Sequence, residues 1–246
     1  MLKRAIVVGA SSGIGAALVR KLAHEGFVVA AVARRLDSLE ALAAEVNRDG
    51  ERRVLPFAHD VHDTASAKPL FDRIVASMDG LDAVVYCAGV MPRITEEQFD
   101  IGLDREMVEV NVIGAMAWLN LAAERFQVQR GGILVGVGSV AGDRGRRGQP
   151  AYCASKAALH TYLESLRNRL SRHGVRVITI KPGPVRTPMT EGLEKMPLAI
   201  DADTAAEGIF RAMSRGGDVA YIPLPWAVIM PVIRAIPSLV FRRMSI

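Results

Sequence analysis

The 246-residue sequence predicts an α/β fold in which a seven-stranded parallel sheet carries helices on both faces. Three observations lead to this prediction. Short apolar runs alternate with helical patterns along the whole chain, a glycine-rich turn joins the first run to the first helix, and 50% of the residues are apolar, which is enough for one core. The length also fits a single domain over residues 1–246.

The elements follow in order along the chain. Strands are predicted near 5–9, 27–33, 53–58, 82–88, 132–138, 175–181 and 219–223, and helices near 13–25, 37–48, 64–77, 103–129, 151–173 and 203–214. Asp37 with Glu40 and Thr204 with Glu207 are interpreted as capping boxes that start two of these helices. In a sheet of this kind ligands bind beyond the carboxyl ends of the strands, so a cleft is expected there.

The first strand leads directly into the glycine-rich turn Gly9-Ala10-Ser11-Ser12-Gly13-Ile14-Gly15, which opens a helix. Glycine permits positive φ angles and a close backbone approach, and the first amides and the dipole of a helix stabilise the charge of a pyrophosphate. The spacing therefore predicts a dinucleotide site.

Tyr152 and Lys156 are four residues apart, so they share one face of a predicted helix, and Ser139 precedes that helix. An ammonium beside a phenol favours the phenolate. At about 4 Å and an effective dielectric of about 20, the attraction is about 4 kcal/mol, or about three pKa units at most. We therefore expect a tyrosine that exchanges a proton near neutral pH.

Further motifs follow in a characteristic order. They are Asp60-Val61, Cys87-Ala88-Gly89, Asn111-Val112-Ile113-Gly114, Gly138-Ser139, and Pro182-Gly183-Pro184-Val185-Arg186-Thr187. With the glycine turn and the Tyr-x-x-x-Lys pair, they resemble the short-chain dehydrogenase/reductase family over nearly the whole chain. The resemblance implies a Rossmann-type doubly wound fold and an NAD(P)-dependent enzyme acting on CH–OH groups.

The resemblance also implies roles for individual residues. Tyr152 would be the general acid or base, Lys156 would lower its pKa and hold the nicotinamide ribose, Ser139 would bind the substrate oxygen, and Asn111 would complete a tetrad by holding a water. The other interpretation of Asn111 is a helix-interior amide satisfied by a backbone carbonyl. Cofactor contacts are expected from Gly9, Ser11, Ser12, Gly13, Ile14, Gly15, Arg34, Arg35, Asp60, Val61, Ala88, Gly89, Tyr152, Lys156, Pro182, Gly183, Val185 and Thr187.

Three positions depart from the family pattern. Val8 stands where most relatives have Thr, Cys87 where they have Asn, and Gly138 where Ser is common. The first two are interpreted as one paired change, since two apolar-leaning groups leave no buried polar partner unpaired.

Cofactor choice is expected at the end of the second strand, which reads Ala33-Arg34-Arg35. An acidic residue there would bind the ribose of NAD, whereas guanidinium groups suit the 2′-phosphate of NADP. The sequence favours NADP(H) over NAD(H). The alternative is that both arginines are ordinary solvated charges.

Substrate choice is expected from a lid over residues 184–202, which includes Met189, Leu193 and Met196. These residues favour an apolar carbonyl or alcohol substrate, unless they only pack the lid down. Arg144, Arg146 and Arg147 lie near the expected mouth of the cleft, where they would either bind an anionic group or form a solvated loop.

The tail, residues 222–246, is unusual because Arg234 is the only charge from Ile222 to Phe241. Four prolines and this arginine argue against a membrane-spanning helix. The tail either packs against another subunit, which we favour slightly, or attaches shallowly to a membrane through Trp226 and the neighbouring arginines.

The remaining expectations concern partners and location. The two cysteines suggest neither a disulfide nor a metal site, and the start of the sequence lacks a signal-peptide pattern, so a cytoplasmic protein is expected, with membrane association if the tail attaches there. The net charge of +5 comes without an aromatic-basic array, so nucleic-acid binding is not expected. Relatives commonly pair through the helices at 103–129 and 151–173, which implies a homodimer or homotetramer. A non-catalytic NADP(H) sensor or membrane-docked scaffold is the alternative to an enzyme.

Overall fold

The computed structural model describes residues 3–48, 50–193 and 195–244. Its strands are β1 Lys3–Val8, β2 Phe27–Ala33, β3 Val54–Ala58, β4 Ala83–Tyr86, β5 Gly132–Val137, β6 Val175–Pro182, β7 Val185–Arg186, β8 Ile200–Asp201 and β9 Val219–Ile222. Within the described residues, seven of them form one parallel sheet in the order β3-β2-β1-β4-β5-β6-β9. The short β7 and β8 pair with each other.

The α-helices are α1 Gly13–His24, α2 Leu36–Val46, α3 Thr64–Met78, α4 Ile101–Val108, α5 Gly114–Gln129, α6 Pro150–Leu170, α7 Ala202–Arg215, α8 Trp226–Ala235 and α9 Ser238–Phe241. A π-helical turn, Glu109–Ile113, joins α4 to α5. Short 3₁₀ turns lie at Val140–Asp143, Ser171–His173 and Pro188–Thr190. The Rossmann-type α/β architecture that the sequence predicts is confirmed.

The strands are buried on both faces, because helices cover the sheet on each side. Ile6 and Val8 of β1 pack into a core beneath α3, α5 and α6. Ala5 and Val7 point the other way, into a core beneath α1, α2 and α7. This alternation is the period of two that a strand imposes, and all four residues are fully buried.

The sheet order changes direction at β1, which has β2 on one side and β4 on the other. Loops on either side of this point diverge and leave a crevice beyond the carboxyl ends of the strands. The glycine turn after β1 and the loops after β4, β5 and β6 all open into this crevice. The fold therefore places the sequence motifs at one edge of the sheet.

Three local expectations were wrong. The helix predicted over 103–129 is broken by the π-helical turn. Neither predicted capping box exists: α2 follows Arg35 without a side-chain cap, and α7 is capped by Asp201, whose carboxylate accepts from the Thr204 amide at 2.6 Å. Both helices begin earlier than expected, so the proposed caps lie inside them.

The tail folds into α8 and α9. Trp226 and Met230 are buried against Val140, which lies in the turn after β5. Leu224, Val228 and Val232 are 76%, 70% and 63% exposed. Their spacing of four residues makes them a single stripe along one side of this segment. Across the described residues, helix length and hydropathy together fall short of what a bilayer crossing requires.

Candidate active site

Two adjoining cavities open at the carboxyl edge of the sheet. The first, of about 260 Å³, is lined by the glycine turn, the end of β2 and the loop after β3. The second, of about 340 Å³, is lined by the loop after β5, by α6, by the lid and by Trp226. We call them the nucleotide pocket and the substrate cavity. Ile14, Cys87, Gly89, Thr187 and Met189 line both, so the two cavities meet at these residues.

The glycine turn makes approaches that only glycine permits. Gly9 has a φ of +91°, and a Cβ there would lie 2.4 Å from the Ala88 amide nitrogen. A Cβ on Gly15 would lie 2.1 Å from the Gly9 carbonyl oxygen. Ser12 precedes α1 but its side chain does not cap it, so the first amides of this helix remain available at the pocket. These features fit the pyrophosphate of a dinucleotide.

The end of β2 places two guanidinium groups on the nucleotide pocket. Arg35 Nη2 donates to Ser11 Oγ at 3.0 Å and to Ser12 Oγ at 2.9 Å. Arg34 Nη1 lies 4.0 Å from Asp60 Oδ2, with the Arg34 side chain 60% exposed. The side chains and the neighbouring hydroxyls form a rim that fits a phosphate on the adenosine ribose.

Burial would raise the pKa of the Asp60 carboxyl, but hydrogen bonds from His62 outweigh it and the pKa is lowered. Asp60 is therefore ionised at neutral pH. It faces Arg34 at the edge of the pocket.

All the predicted site residues except Asn111 line one of the two cavities, but five of the expected cofactor contacts line only the substrate cavity: Tyr152, Lys156, Pro182, Gly183 and Val185. The nucleotide pocket is lined by Gly9, Ser11, Ser12, Gly13, Ile14, Gly15, Arg34, Arg35, Asp60, Val61, Ala88, Gly89 and Thr187. The substrate cavity is lined by Ser139, Tyr152, Lys156, Pro182, Gly183, Val185 and Thr187. Asn111 lines neither cavity and lies behind Gly89.

Tyr152 and Lys156 lie on one face of α6, with the Lys156 Nζ 5.7 Å from the centre of the tyrosine ring. Burial raises the pKa of the Tyr152 phenol, and hydrogen bonding to Ser139 only partly offsets it. The sequence predicted a lowered pKa for this phenol, but its pKa is raised. The cost of desolvating the buried phenolate exceeds the stabilisation that neighbouring groups give it. At neutral pH the phenol is therefore protonated.

Lys156 is 5% exposed and donates to the Val137 carbonyl at 3.1 Å. Burial lowers the pKa of Lys156 to about 8. It remains mostly protonated at neutral pH, and its one hydrogen bond within the described part of the chain leaves two of its N–H groups without a partner there. A Cβ on Gly89 would lie 3.3 Å from its Nζ, so the ammonium sits where the two cavities meet.

Asn111 lies in the π-helical turn and is fully buried. Its Oδ1 accepts from the Val90 amide at 2.8 Å, and its Nδ2 donates to the Val90 carbonyl at 3.1 Å and to Ser155 Oγ at 3.0 Å. The amide thus ties the loop after β4 to α6, and its partners are not those of an amide satisfied within its own helix. It holds Gly89 beside Lys156.

A buried charge cluster behind Ser139 escaped the sequence analysis. The Asp143 side chain is 2% exposed, with Oδ1 at 2.5 Å from Lys181 Nζ and Oδ2 accepting from the Tyr221 hydroxyl at 2.6 Å. His160 Nδ1 lies 3.6 Å from Asp143 Oδ1. We call these four residues the Asp143 cluster. The four residues are far apart in the sequence, so no local motif predicts the cluster.

The Asp143 cluster reaches the Ser139 backbone through His160. The Ser139 amide donates to His160 Nε2 at 3.4 Å. Burial and the nearby Lys181 ammonium lower the pKa of His160 to about 3, so the ring is neutral. A neutral ring that accepts at Nε2 carries its proton on Nδ1, which faces Asp143.

His160 also explains one departure from the family pattern. A Cβ on Gly138 would lie 2.2 Å from His160 Nε2, and one on Gly142 would lie 2.7 Å from His160 Cε1. The imidazole therefore occupies the space that a serine at position 138 would need. Gly138 and His160 form one structural unit.

The paired-change interpretation of Val8 and Cys87 was wrong, because Val8 packs into the core beneath α3, α5 and α6 while Cys87 packs against the core on the other face of the sheet. The Cys87 amide donates to the Val8 carbonyl at 2.8 Å, and the Val8 side chain is fully buried. Burial raises the pKa of the Cys87 thiol to about 12, so it stays neutral. Of these two residues, Cys87 alone lines the cleft.

Comparisons with known proteins show the family of the chain. A family model described as short chain dehydrogenase matches residues 3–198. A protein named "uncharacterized oxidoreductase" from Myxococcus xanthus is 37% identical over 230 residues, which are 93% of this chain and 90% of that protein. Carbonyl reductase family member 4 from Xenopus tropicalis is 32% identical over 200 residues, 79% of this chain and 80% of that one.

The architecture recurs in solved structures. The alcohol dehydrogenase from the archaeon Thermococcus sibiricus, complexed with 5-hydroxy-NADP, aligns with a TM-score of 0.81 at 24% identity. The alignment covers 90% of this chain and 96% of that one. The likeness extends over the sheet and its helices.

Proposed function

The chain belongs to the short-chain dehydrogenase family and is an oxidoreductase, and on this basis we propose that it uses NADP(H) to interconvert a carbonyl and a secondary alcohol, with Tyr152 as general acid or base. The observation that carries the proposal is the arrangement of Tyr152 and Lys156 on one face of α6, opposite Ser139 and beside the shared wall of the two cavities. A bound nicotinamide would supply or accept the hydride.

Tyr152 and Ser139 handle the substrate oxygen in this proposal. In reduction the protonated Tyr152 phenol gives its proton to the oxygen as the carbonyl carbon gains hydride. Ser139 Oγ accepts from the Ala141 amide at 3.1 Å, and its own proton, which faces the Tyr152 phenol, would be donated to the same substrate oxygen. A phenol that burial keeps protonated is the form that reduction requires.

Lys156 and Asn111 assist Tyr152 and Ser139 without contacting the substrate oxygen in this proposal. The Lys156 ammonium stabilises negative charge on the phenolate that forms after proton transfer, because it is buried and close to the ring. Asn111 fixes the loop that carries Gly89, against which the ammonium rests. Loss of either group would therefore weaken catalysis without emptying the cavity.

The preference for NADP(H) rests on the rim formed by Arg34, Arg35, Ser11 and Ser12. A 2′-phosphate would bring two negative charges to two guanidinium groups and two hydroxyls. Ala33, which is 8% exposed, stands where an acidic side chain would favour NAD. Pyrophosphate binding falls to the glycine turn.

The substrate is proposed to be largely apolar. The lid and tail contribute Met189, Leu193, Met196, Pro197 and Trp226 to the lining of the substrate cavity. Flexible thioethers and an aromatic ring adapt to a hydrocarbon body. A hydrophobic ketone would bury this surface while its oxygen reaches Tyr152.

We further propose that the protein is a cytoplasmic homodimer or homotetramer, and that the exposed stripe on the tail makes a contact in that assembly. Val228 and Val232 are large apolar side chains left in solvent. Changing both to serine should lower the mass measured by analytical ultracentrifugation. An unchanged mass together with loss of co-sedimentation with anionic liposomes would instead identify membrane attachment.

The catalytic proposal is tested by screening carbonyl compounds with NADPH in the wild type and in Tyr152→Phe. The variant should lose a factor of about 100 to 10,000 in kcat/KM, the usual contribution of a general acid. Tyr162→Phe is the matched control, because this tyrosine lies on the same helix but donates to Asn120 Oδ1 outside the cleft. It should keep wild-type activity.

Two results would contradict the catalytic proposal. Tyr152→Phe within a few fold of the wild type would remove the assigned acid. Tight NADPH binding by the wild type without turnover on a broad panel would favour the non-catalytic sensor.

A further inference from the structure

Three arginines lie on the loop between Ser139 and Tyr152, and they differ in what they contact. Arg144 Nη1 donates to the Ile233 carbonyl at 2.6 Å and to the Ile236 carbonyl at 2.7 Å, and its guanidinium stacks on Phe241 at 3.9 Å. These contacts close the carboxyl end of α8, where unpaired carbonyls need donors. Arg144 is therefore engaged in holding the tail.

Arg147 is also engaged away from the cleft. Its Nη2 donates to the Arg242 carbonyl at 3.0 Å, and its Nε lies 3.8 Å from Glu96 Oε2. It does not line the substrate cavity. Two of the three loop arginines thus connect the loop to the tail and to the surface.

Arg146 is different because it lines the substrate cavity. Throughout residues 3–48, 50–193 and 195–244 no side chain or carbonyl forms a hydrogen bond or an ion pair with its guanidinium. The other charged groups that line the cavity in this part of the chain are Lys156 and Lys195, both cationic. The cavity is thus a mostly apolar space with positive charge and no carboxylate from the described lining.

Trp226, from the tail, forms another side of the same cavity. Trp226 is 6% exposed, and its indole Nε1 has no acceptor among the described residues. A Cβ on Gly183, another lining residue, would lie 2.1 Å from this nitrogen. This nitrogen has almost no accessible surface, so it lies within the wall and Trp226 offers the cavity its apolar ring.

The position of Arg146 also places it near the chemistry. Its charge acts to lower the pKa of the Tyr152 phenol, although burial dominates that pKa. A guanidinium in an apolar cavity has already lost part of its hydration, so an anion that binds it forms a strong charge-assisted pair. Because Arg146 and Tyr152 line the same cavity, one substrate molecule could place an anionic group at Arg146 and its carbonyl at Tyr152.

We propose that Arg146 binds a carboxylate or phosphate group on an otherwise apolar carbonyl substrate. The inference rests on the proposed function, since it assigns a substrate class to the same cavity. The lid residues hold the apolar body, Ser139 and Tyr152 hold the carbonyl, and Arg146 selects substrates by charge.

Binding to the NADPH-loaded protein tests this independently of turnover. Calorimetry would compare 4-acetylbenzoate, 4-acetylphenyl phosphate and the uncharged methyl 4-acetylbenzoate on the wild type, Arg146→Gln and Arg146→Lys. The wild type should bind at least one of the two anions more tightly than the ester. Comparing the affinities for the carboxylate and the phosphate shows which anion the cavity prefers. Arg146→Gln should reduce that preference about tenfold to a hundredfold, as expected for a charged hydrogen bond.

The variants include their own controls. Arg146→Lys should retain most of the preference, because it keeps the charge, whereas a merely structural arginine would give the same loss in both variants. Arg147→Gln, in the same loop but outside the cavity, should leave the preference unchanged. Equal binding of ester and both anions by the wild type, or an undiminished preference in Arg146→Gln, would overturn the inference.

The two proposals fail in different ways. If anions bind through Arg146 but no compound is turned over, the reaction is wrong and the charge selection stands. If ketones are turned over with the same kcat/KM ratio of acid to ester in wild type and Arg146→Gln, the reaction stands and the charge selection is wrong.

Discussion

The nucleotide wall and the substrate wall of the cleft differ in how deeply their ion pairs are buried. On the nucleotide wall, Arg34 and Asp60 are 4.0 Å apart, with side chains 60% and 45% exposed. On the substrate wall, Lys181 and Asp143 are 2.5 Å apart, with side chains 12% and 2% exposed. The first pair is loosely held and open to a ligand, whereas the second is part of the framework that positions Ser139.

This difference in burial predicts a difference in energy. An exposed pair contributes about 0–1 kcal/mol because water and salt screen it. Removing one partner of a buried pair leaves the other charge without compensation and costs about 3–5 kcal/mol. Substitutions on the two walls should therefore affect different properties: folding stability on one and ligand affinity on the other.

The largest expected effect is that of Asp143→Asn on stability. It leaves the Lys181 ammonium unpaired and weakens the support of His160, so the free energy of unfolding should fall by about 3–5 kcal/mol in urea denaturation. Asp60→Asn is the control on the other wall and should change it by less than about 1 kcal/mol. Equal losses in the two variants would break the comparison.

A second substitution tests whether the substrate wall is as tightly packed as its charges suggest. Gly138→Ala would place a methyl group 2.2 Å from His160 Nε2, so it should cost about 1–3 kcal/mol and displace Ser139, lowering kcat. Gly145→Ala, in the same loop, meets nothing within 4 Å and should be nearly neutral.

A double variant makes the glycine prediction specific. If His160 occupies the space, then Gly138→Ala in a His160→Ala background should cost much less than in the wild type, which is a coupling between neighbours. Additive losses would mean that the glycine is needed for another reason.

The same contrast explains what the sequence could predict. The nucleotide wall is built from consecutive residues: the glycine turn from 9 to 15, and Arg34 with Arg35 at the end of one strand. Local spacing therefore carries most of its geometry, because a strand, a turn and a helix start form wherever they occur. The glycine turn, Arg34 and Arg35 all line one pocket.

The substrate wall was less predictable because its contacts are long-range. Asp143 meets Lys181 38 residues away and Tyr221 78 residues away, and Arg144 meets the tail about 90 residues away. No periodicity encodes such partners. The sequence located Ser139, Tyr152 and Lys156 but could not distinguish Arg146, which lines the cavity, from Arg144 and Arg147, which hold the tail.

Burial also reversed one electrostatic expectation. The Tyr-x-x-x-Lys spacing brings an ammonium near the phenol, yet the pKa of Tyr152 is raised because desolvation dominates. The sequence shows how far apart the two residues are but not how deeply the phenol is buried, and the burial decides whether its pKa rises or falls. The π-helical turn at Asn111 was equally hidden, since its side-chain bonds to Val90 and Ser155 are made only in the folded chain.

The smallest expected effect belongs to the nucleotide wall and concerns affinity instead of folding. Arg34→Ala should weaken NADPH binding about tenfold, the value of one charge-assisted contact, while NADH binding changes little because it lacks the 2′-phosphate. Fluorescence titration with each nucleotide measures both constants. Stability should stay within about 0.5 kcal/mol, as for other exposed side chains.

Arg20→Ala is the matched control for this variant, because Arg20 is also partly exposed but pairs with Glu45 at 2.8 Å outside the pocket. It should leave the ratio of the two affinities unchanged. An equal loss of NADPH and NADH affinity in Arg34→Ala would remove the basis for NADP(H) preference at this residue and transfer the question to Arg35, whose guanidinium already binds Ser11 and Ser12. A large loss of stability would mean that the nucleotide wall, like the substrate wall, uses its charges to hold the fold.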